Sequence, residues 1–186
     1  MINPHIHIPF ERIDTYLDYI LRYQINIELF FKGEVLDNTS EKDIKKVREL
    51  LPYNPSLTVH GPFADLSPGA TDSKIRKVTI DRFSQTIEYA SILNAKIVVF
   101  HSGYEKWKYA LDVDLWLEKS IETWKPINKL AKERGVKIAI ENIFEEEPSN
   151  LRLLMEEMAS ENFGVCFDSG HFNIFSNTPL TLWIDA

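Results

Sequence analysis

The sequence predicts an α/β protein of parallel (β/α)8 barrel type, with about six βα units in 186 residues. Three observations carry this reading. Six short apolar runs are rich in Val, Ile and Phe. Amphipathic helical patterns lie between them. Chemistry-bearing polar residues stand at the ends of successive runs.

The runs are HIHIP (5–9), INIELFF (25–31), SLTVH (56–60), AKIVVFH (95–101), VKIAIE (136–141) and FGVCF (163–167). Several are nearly continuous in apolar residues, as strands are when both faces are covered. Ile44, Val47 and Leu51 mark one intervening helix. Ile80, Phe83, Ile87 and Ala90 mark the next, and Leu117, Ile121, Trp124 and Ile127 a third, in which Pro126 is expected to introduce a kink. Asp72 and Ser149 are expected N-caps, and Gly135 a helix stop. Thr178 and Pro179 are expected at the N-cap and first position of a sixth helix. Strand–helix alternation means a parallel sheet with crossovers, either an open doubly wound sheet or a (β/α)8 barrel. No GxGxxG follows the first run, so the dinucleotide-binding open sheet has no support.

The chain is read as one incomplete barrel domain over residues 1–186, since its length suits one core rather than two. A net charge of -7 argues against nucleic acid as the main partner, because phosphate binding needs clustered Lys and Arg. The single cysteine, Cys166, excludes an internal disulfide and fits the reducing cytoplasm. The opening MINPHIHIPFERIDTY has no basic segment followed by a long apolar run, so no signal peptide is expected. No stretch approaches the ~20 apolar residues of a membrane span.

Strand ends carry the chemistry. Glu28 stands near the end of the second run, and His60, His101, Glu141 and Asp168 end the third to the sixth. Parallel strands point one way, so these side chains gather at the C-terminal rim, where barrel enzymes build their sites. Two imidazoles and two carboxylates there make a cage for a divalent metal such as zinc or manganese. His171 follows Asp168 on the same turn, within CFDSGH. Each residue alone has a plainer reading: a strand-end His can be a hydrogen-bonded structural residue, and Glu28 a helix-cap partner. The coincidence of several weakens that reading. His5 and His7 share one side of the first strand; the alternatives are that one reaches the rim or, as expected, that they fill the core or the barrel lumen. Glu145, Glu146 and Glu147 read as a solvated loop. The aromatic segment SGYEKWKY (102–109) either covers a substrate or lies on the surface with Trp107 packed on the helices.

HGPFADLSPG after the third strand, VVFHSGY at the fourth, IAIEN at the fifth and CFDSGH at the sixth occur in this order. With these motifs the sequence resembles the xylose isomerase-like TIM-barrel superfamily, which holds sugar phosphate isomerases and epimerases and the endonuclease IV-like AP endonucleases. By that resemblance His60, His101 and Glu141 match a trio that binds one zinc in the endonuclease branch. Glu141 and Asp168 match two of the four ligands of the single metal in the epimerase branch. His171 matches a substrate contact in epimerases and a further zinc ligand in the endonuclease. The resemblance therefore implies Glu141 and His171 as catalytic residues, and His60, His101, Glu141, Asp168 and His171 as metal ligands. It implies a metal-dependent isomerase or epimerase that moves a proton through an enediolate of a sugar or sugar phosphate. The alternatives are a zinc-dependent AP endonuclease or phosphodiesterase, and an inactive shortened barrel with a partial metal site. The chain is expected to be C-terminally truncated, since a typical barrel has ~250 residues. Its open strand edges are expected to favour self-association.

Overall fold

A computed structural model describes residues 4–185. Met1–Asn3, the start of the segment read as lacking a signal peptide, lie outside the described residues. The strands are β1 (His5–Pro9), β2 (Asn26–Phe30), β3 (Leu57–His60), β4 (Ile97–His101), β5 (Lys137–Glu141) and β6 (Phe163–Cys166). They form one sheet in the order β1-β2-β3-β4-β5-β6, with every pairing parallel. A doubly wound sheet reverses strand order at a switch point. This sheet has no reversal, so the barrel-type topology holds and the open alternative falls.

Helices connect the strands: α1 (Ile13–Tyr23), α2 (Gly33–Asn38), α3 (Glu41–Glu49), α4 (Ser73–Ile92), α5 (Val113–Glu133), α6 (Ser149–Met158), α7 (Ser169–Phe175) and α8 (Leu180–Ile184). None is long and apolar enough to cross a membrane. The capping box of α3 is complete: Ser40 Oγ accepts from Asp43 N–H, and the Asp43 carboxylate accepts from Ser40 N–H. Asp72 caps α4 as expected. Gly135 follows the end of α5 at φ 69°, a left-handed conformation that glycine adopts without a Cβ clash.

Two local expectations need correction. Pro148, not Ser149, is the N-cap residue of α6; Ser149 is the first helical residue and its hydroxyl donates to Glu147. The last helix starts one residue later than expected, with Pro179 at the N-cap and Leu180 first. The helix α5 runs as one element through Pro126. The sequence does not predict the helix α7, because CFDSGHFNIF offers only one cap and a short apolar pattern.

Strand residues alternate between two environments, as the period of two requires. Ile27, Leu29, Val59, Val98, Phe100, Ile138 and Ile140 are buried in the core against the helices. There Phe83 packs on Phe100 (centroids 4.2 Å apart) and on Trp124 (5.1 Å). Gly61 is required beside this cluster, since a Cβ at that position would lie 2.2 Å from Phe100 Cε1. The opposite strand face carries His5, His7, Glu28, Thr58, His60, His101 and Glu141. Among the described residues β1 pairs only with β2, and β6 only with β5. Ile6 on β1 and Val165 on β6 are each nearly half exposed.

Candidate metal centre

The ends of β3, β4 and β5 bring His60, His101 and Glu141 together, so that one ligand atom from each lies within 4.8 Å of the others. Glu141, Asp168 and His171 form a second such group. Glu141 belongs to both. Its Oε2 lies 3.3 Å from His60 Nε2, and its Oε1 lies 3.1 Å from His171 Nδ1. His60 and Glu141 are both buried. All five expected ligands therefore converge on one end of the sheet.

The local electrostatics suit a cation. His60 Nδ1 faces the Gly61 carbonyl at 2.9 Å, which fixes a proton on Nδ1 and turns Nε2 toward Glu141. In the neutral ring two lone pairs then meet, and either a second proton or a cation must lie between them. Burial pulls the His60 pKa down, but the Glu141 hydrogen bond, the Gly61 carbonyl and the charges of Glu141 and Glu28 outweigh it and hold the pKa above the ordinary value. His101 goes the other way: burial first, then the His60 charge, lower it to about 4. It is thus a neutral imidazole at physiological pH, the form that ligates metals. Phe63, the aromatic residue of HGPF, stacks on it at 4.4 Å. The donor set of imidazole nitrogens and carboxylate oxygens is of the kind that binds zinc and related divalent ions.

Asp168 also acts as a helix cap. Its Oδ1 accepts the His171 N–H at 2.7 Å and caps α7. That cap fixes His171 one turn along, with Nδ1 3.0 Å from the Asn142 carbonyl and 3.7 Å from Asp168 Oδ1. Asn142 has a role the sequence did not disclose. Its Oδ1 accepts from Asp168 N–H at 2.6 Å, and its Nδ2 donates to the Asp168 carbonyl at 3.0 Å. One buried amide thus ties the end of β5 to the turn after β6.

Glu145 corrects the expectation of a solvated acidic loop. It is 2% exposed, accepts from the Ile143 N–H at 2.7 Å, and accepts from the Ser102 hydroxyl. It joins the turn after His101 to the turn after Glu141. Burial raises its pKa, against the Ser102 and Ile143 hydrogen bonds. Glu146 pairs with Lys106 at 2.5 Å, and only Glu147 of the three is exposed. A run of three acids looks alike in sequence; nothing local marks the buried one.

Glu28 stays below the cluster. It sits mid-strand opposite Thr58, bonded to Thr58 Oγ1 and to His7 Nδ1 at 3.1 Å each. Burial raises its pKa, but the His7 bond and the His60 charge more than offset this and lower it. His5 bonds Thr58 at 3.0 Å, and both β1 histidines lie on the lumen face, where His7 is exposed with its ring 5.7 Å from that of His60.

A cavity of about 450 Å³ opens over the cluster, lined by His60, His101, Glu141 and His171 with Phe63 and Phe175 among its aromatic walls. Ser102, Gly103, Tyr104, Glu105 and Lys108 also line it, so part of SGYEKWKY forms a wall of the cavity. Trp107 points outward, 71% exposed, and does not pack on the helices.

An uncharacterized protein of Methanocaldococcus jannaschii, MJ1311, is 32% identical over 145 residues, covering 74% of this chain and 50% of its own length. A second from the same organism, MJ1614, is 33% identical over 122 residues, covering 64% of this chain and 47% of its own. The chain thus spans about half the length of the curated relatives it matches. Among solved structures, the TTHB071 protein of Thermus thermophilus, soaked with ZnCl2, superposes with a TM-score of 0.83. It is 24% identical, over 99% of this chain and 74% of that one, which speaks for the fold. A D-tagatose 3-epimerase-like protein superposes at 0.76 with 27% identity, over 94% of this chain and 68% of that one. A family profile described as xylose isomerase-like TIM barrel matches residues 26–183. With the strand order, the rim cluster and this match in agreement, the chain belongs to the xylose isomerase-like TIM barrel family.

Proposed function

We propose that this chain carries the metal-binding part of a divalent-metal-dependent sugar or sugar phosphate isomerase or epimerase. The observation that supports it most is Glu141, shared between two groups of potential ligands at the floor of an aromatic-walled cavity. A divalent cation held by His60, His101, Glu141, Asp168 and His171 would supply Lewis-acid polarisation of a sugar carbonyl. Glu141, held between two imidazoles, is placed to take a proton from the carbon beside that carbonyl, leaving an enediolate. Return of the proton to the neighbouring carbon is isomerisation; return to the other face is epimerisation. His171, braced by the Asp168 cap and the Asn142 carbonyl, orients the substrate hydroxyls. Phe63 and Phe175 exclude water from the reacting carbons.

The experiment is solvent exchange. Manganese- or zinc-loaded protein is incubated with ketoses and ketose phosphates in D2O, and deuterium at the carbon beside the carbonyl is followed by NMR. Exchange is expected in wild type and abolished in Glu141→Gln; exchange undiminished in Glu141→Gln rules out this assignment of the base. The similarity of one solved neighbour to D-tagatose 3-epimerase supports the substrate class.

A second reading, zinc-dependent phosphodiester hydrolysis at abasic DNA, draws on one observation: two imidazoles, His60 and His101, share the cluster with Glu141. The net charge of -7 weighs against it.

A further inference from the structure

We infer that Lys108 anchors an anionic group, a phosphate or carboxylate, on the ligand of this cavity. The inference rests on the sugar-isomerase reading for where the rest of that ligand lies. Among the described residues, Lys108 is the only lysine or arginine lining the cavity. Lys32, Lys106, Lys119, Arg76, Arg82 and Arg134 each reach a carboxylate. Lys108 has no such partner among the described ion pairs. Its Nζ donates instead to Ser67 Oγ at 2.8 Å and stands 5.7 Å from the centre of the Tyr109 ring.

Those partners are fixed. Ser67 is buried, its N–H donates to Thr79 Oγ1 at 3.0 Å, and its Oγ lies 3.3 Å from the Tyr109 hydroxyl. A hydroxyl and a ring face hold an ammonium in place without cancelling its charge. The sequence brings this about through two loops: Ser67 comes from HGPFADLSPG after β3 and Lys108 from SGYEKWKY after β4. Lys108 stands where this cavity meets a second one of about 400 Å³, lined by Ser67 and Tyr109 together with Asp65 and Asp72. Opposing charges line both, Glu105 and Glu141 in the first and the two aspartates in the second. An anion seated here must approach Lys108 more closely than any of these carboxylates. A cavity of about 450 Å³ is of the size that takes a small ligand. A sugar bearing a phosphate or an acid would place its charged end at Lys108 and its carbonyl end at the cluster.

The test uses the full chain, chelator-treated, with inorganic phosphate and acetate as probes and backbone amide NMR as readout. Phosphate is expected to shift the Ser67 and Lys108 amide signals in the millimolar range. Affinity should fall about tenfold in Lys108→Met, the scale of one charge-assisted hydrogen bond, persist in Lys108→Arg, and rise in Glu105→Gln. A response to phosphate alone assigns a phosphate ester; an equal response to acetate assigns a sugar acid. No response to either anion, or an undiminished one in Lys108→Met, overturns the inference. Zinc binding is measured on the same samples. Zinc bound without an anion response sinks the anchor alone. An anion response without zinc binding supports the anchor and removes the metal reading.

Discussion

Phe63 lies almost flat on His101, with ring centroids 4.4 Å apart and planes inclined by 20°. Two motifs far apart in sequence meet in this contact, and it helps keep His101 dry. Burial is the main cause of its low pKa of about 4. Phe63→Ala should let water in and raise the His101 pKa toward the ordinary value. Histidine ring NMR across a pH series checks this; an unmoved titration shows that Phe63 is not the shield.

The same depressed pKa has a consequence for stability. A His whose folded pKa lies below its unfolded value is bound to fewer protons in the folded state between the two. Its contribution is fully present above the unfolded pKa of ~6.5 and is lost as pH falls toward about 4. Metal-free wild type should therefore lose more stability than His101→Gln between neutral pH and about 4.5. Urea midpoints at a series of pH values measure it; parallel losses would refute it.

Glu141 belongs to both ligand groups, so its loss should cost the most metal. Elemental analysis after reloading should show Glu141→Ala depleted beyond Asp168→Ala or His60→Ala. Zinc at a hundredfold excess over its Kd should stabilise the wild type by about 2.7 kcal/mol, lost on chelation. Equal metal content in all the variants would remove these residues from the ligand list.

Asn142→Ala deletes two hydrogen bonds to the Asp168 backbone and leaves an N–H and a carbonyl to find other partners. The expected cost is about 1–3 kcal/mol. Metal affinity should also fall, because the Asp168 cap holds His171. Thermal unfolding and zinc titration of one sample separate the two effects; unchanged values in both would mean that the clasp does not matter.

Binding to an abasic duplex should be weak and steeply salt-dependent, since DNA affinity comes largely from phosphate contacts and, among the described residues, only Lys108 of those lining the cavity is a lysine or arginine. Fluorescence anisotropy at two salt concentrations tests it. Tight, specific binding at physiological salt would favour the phosphodiesterase reading instead.

This 186-residue chain, expressed as it stands, should self-associate. The edges of β1 and β6 each have a single partner among the described residues, and Ile6, Val165 and Phe167 are exposed beside them. Unpaired strand edges template pairing, and burying apolar surface is worth roughly 25 cal/mol per Å². Light scattering over a dilution series should show species larger than a monomer; a stable monomer at micromolar concentration counts against it.

The six strands, their parallel direction and the rim that His60, His101, Glu141 and Asp168 share are legible in the amino-acid sequence. Apolar runs and strand-end polar residues are local signals, and parallel direction turns each into a position on one face. The rest depends on packing. Glu145 is buried and Glu147 exposed because the turn after β5 folds back onto Ser102, a partner 43 residues away. Asn142 became a clasp only when β6 paired beside β5. Glu28 remained a layer below the cluster because strand register, not nearness to a strand end, sets height in a barrel. Lys108 met Ser67 across two loops whose residues carry no mark of each other. Burial and long-range partners are properties of the packed chain, and a residue's neighbours in sequence do not contain them.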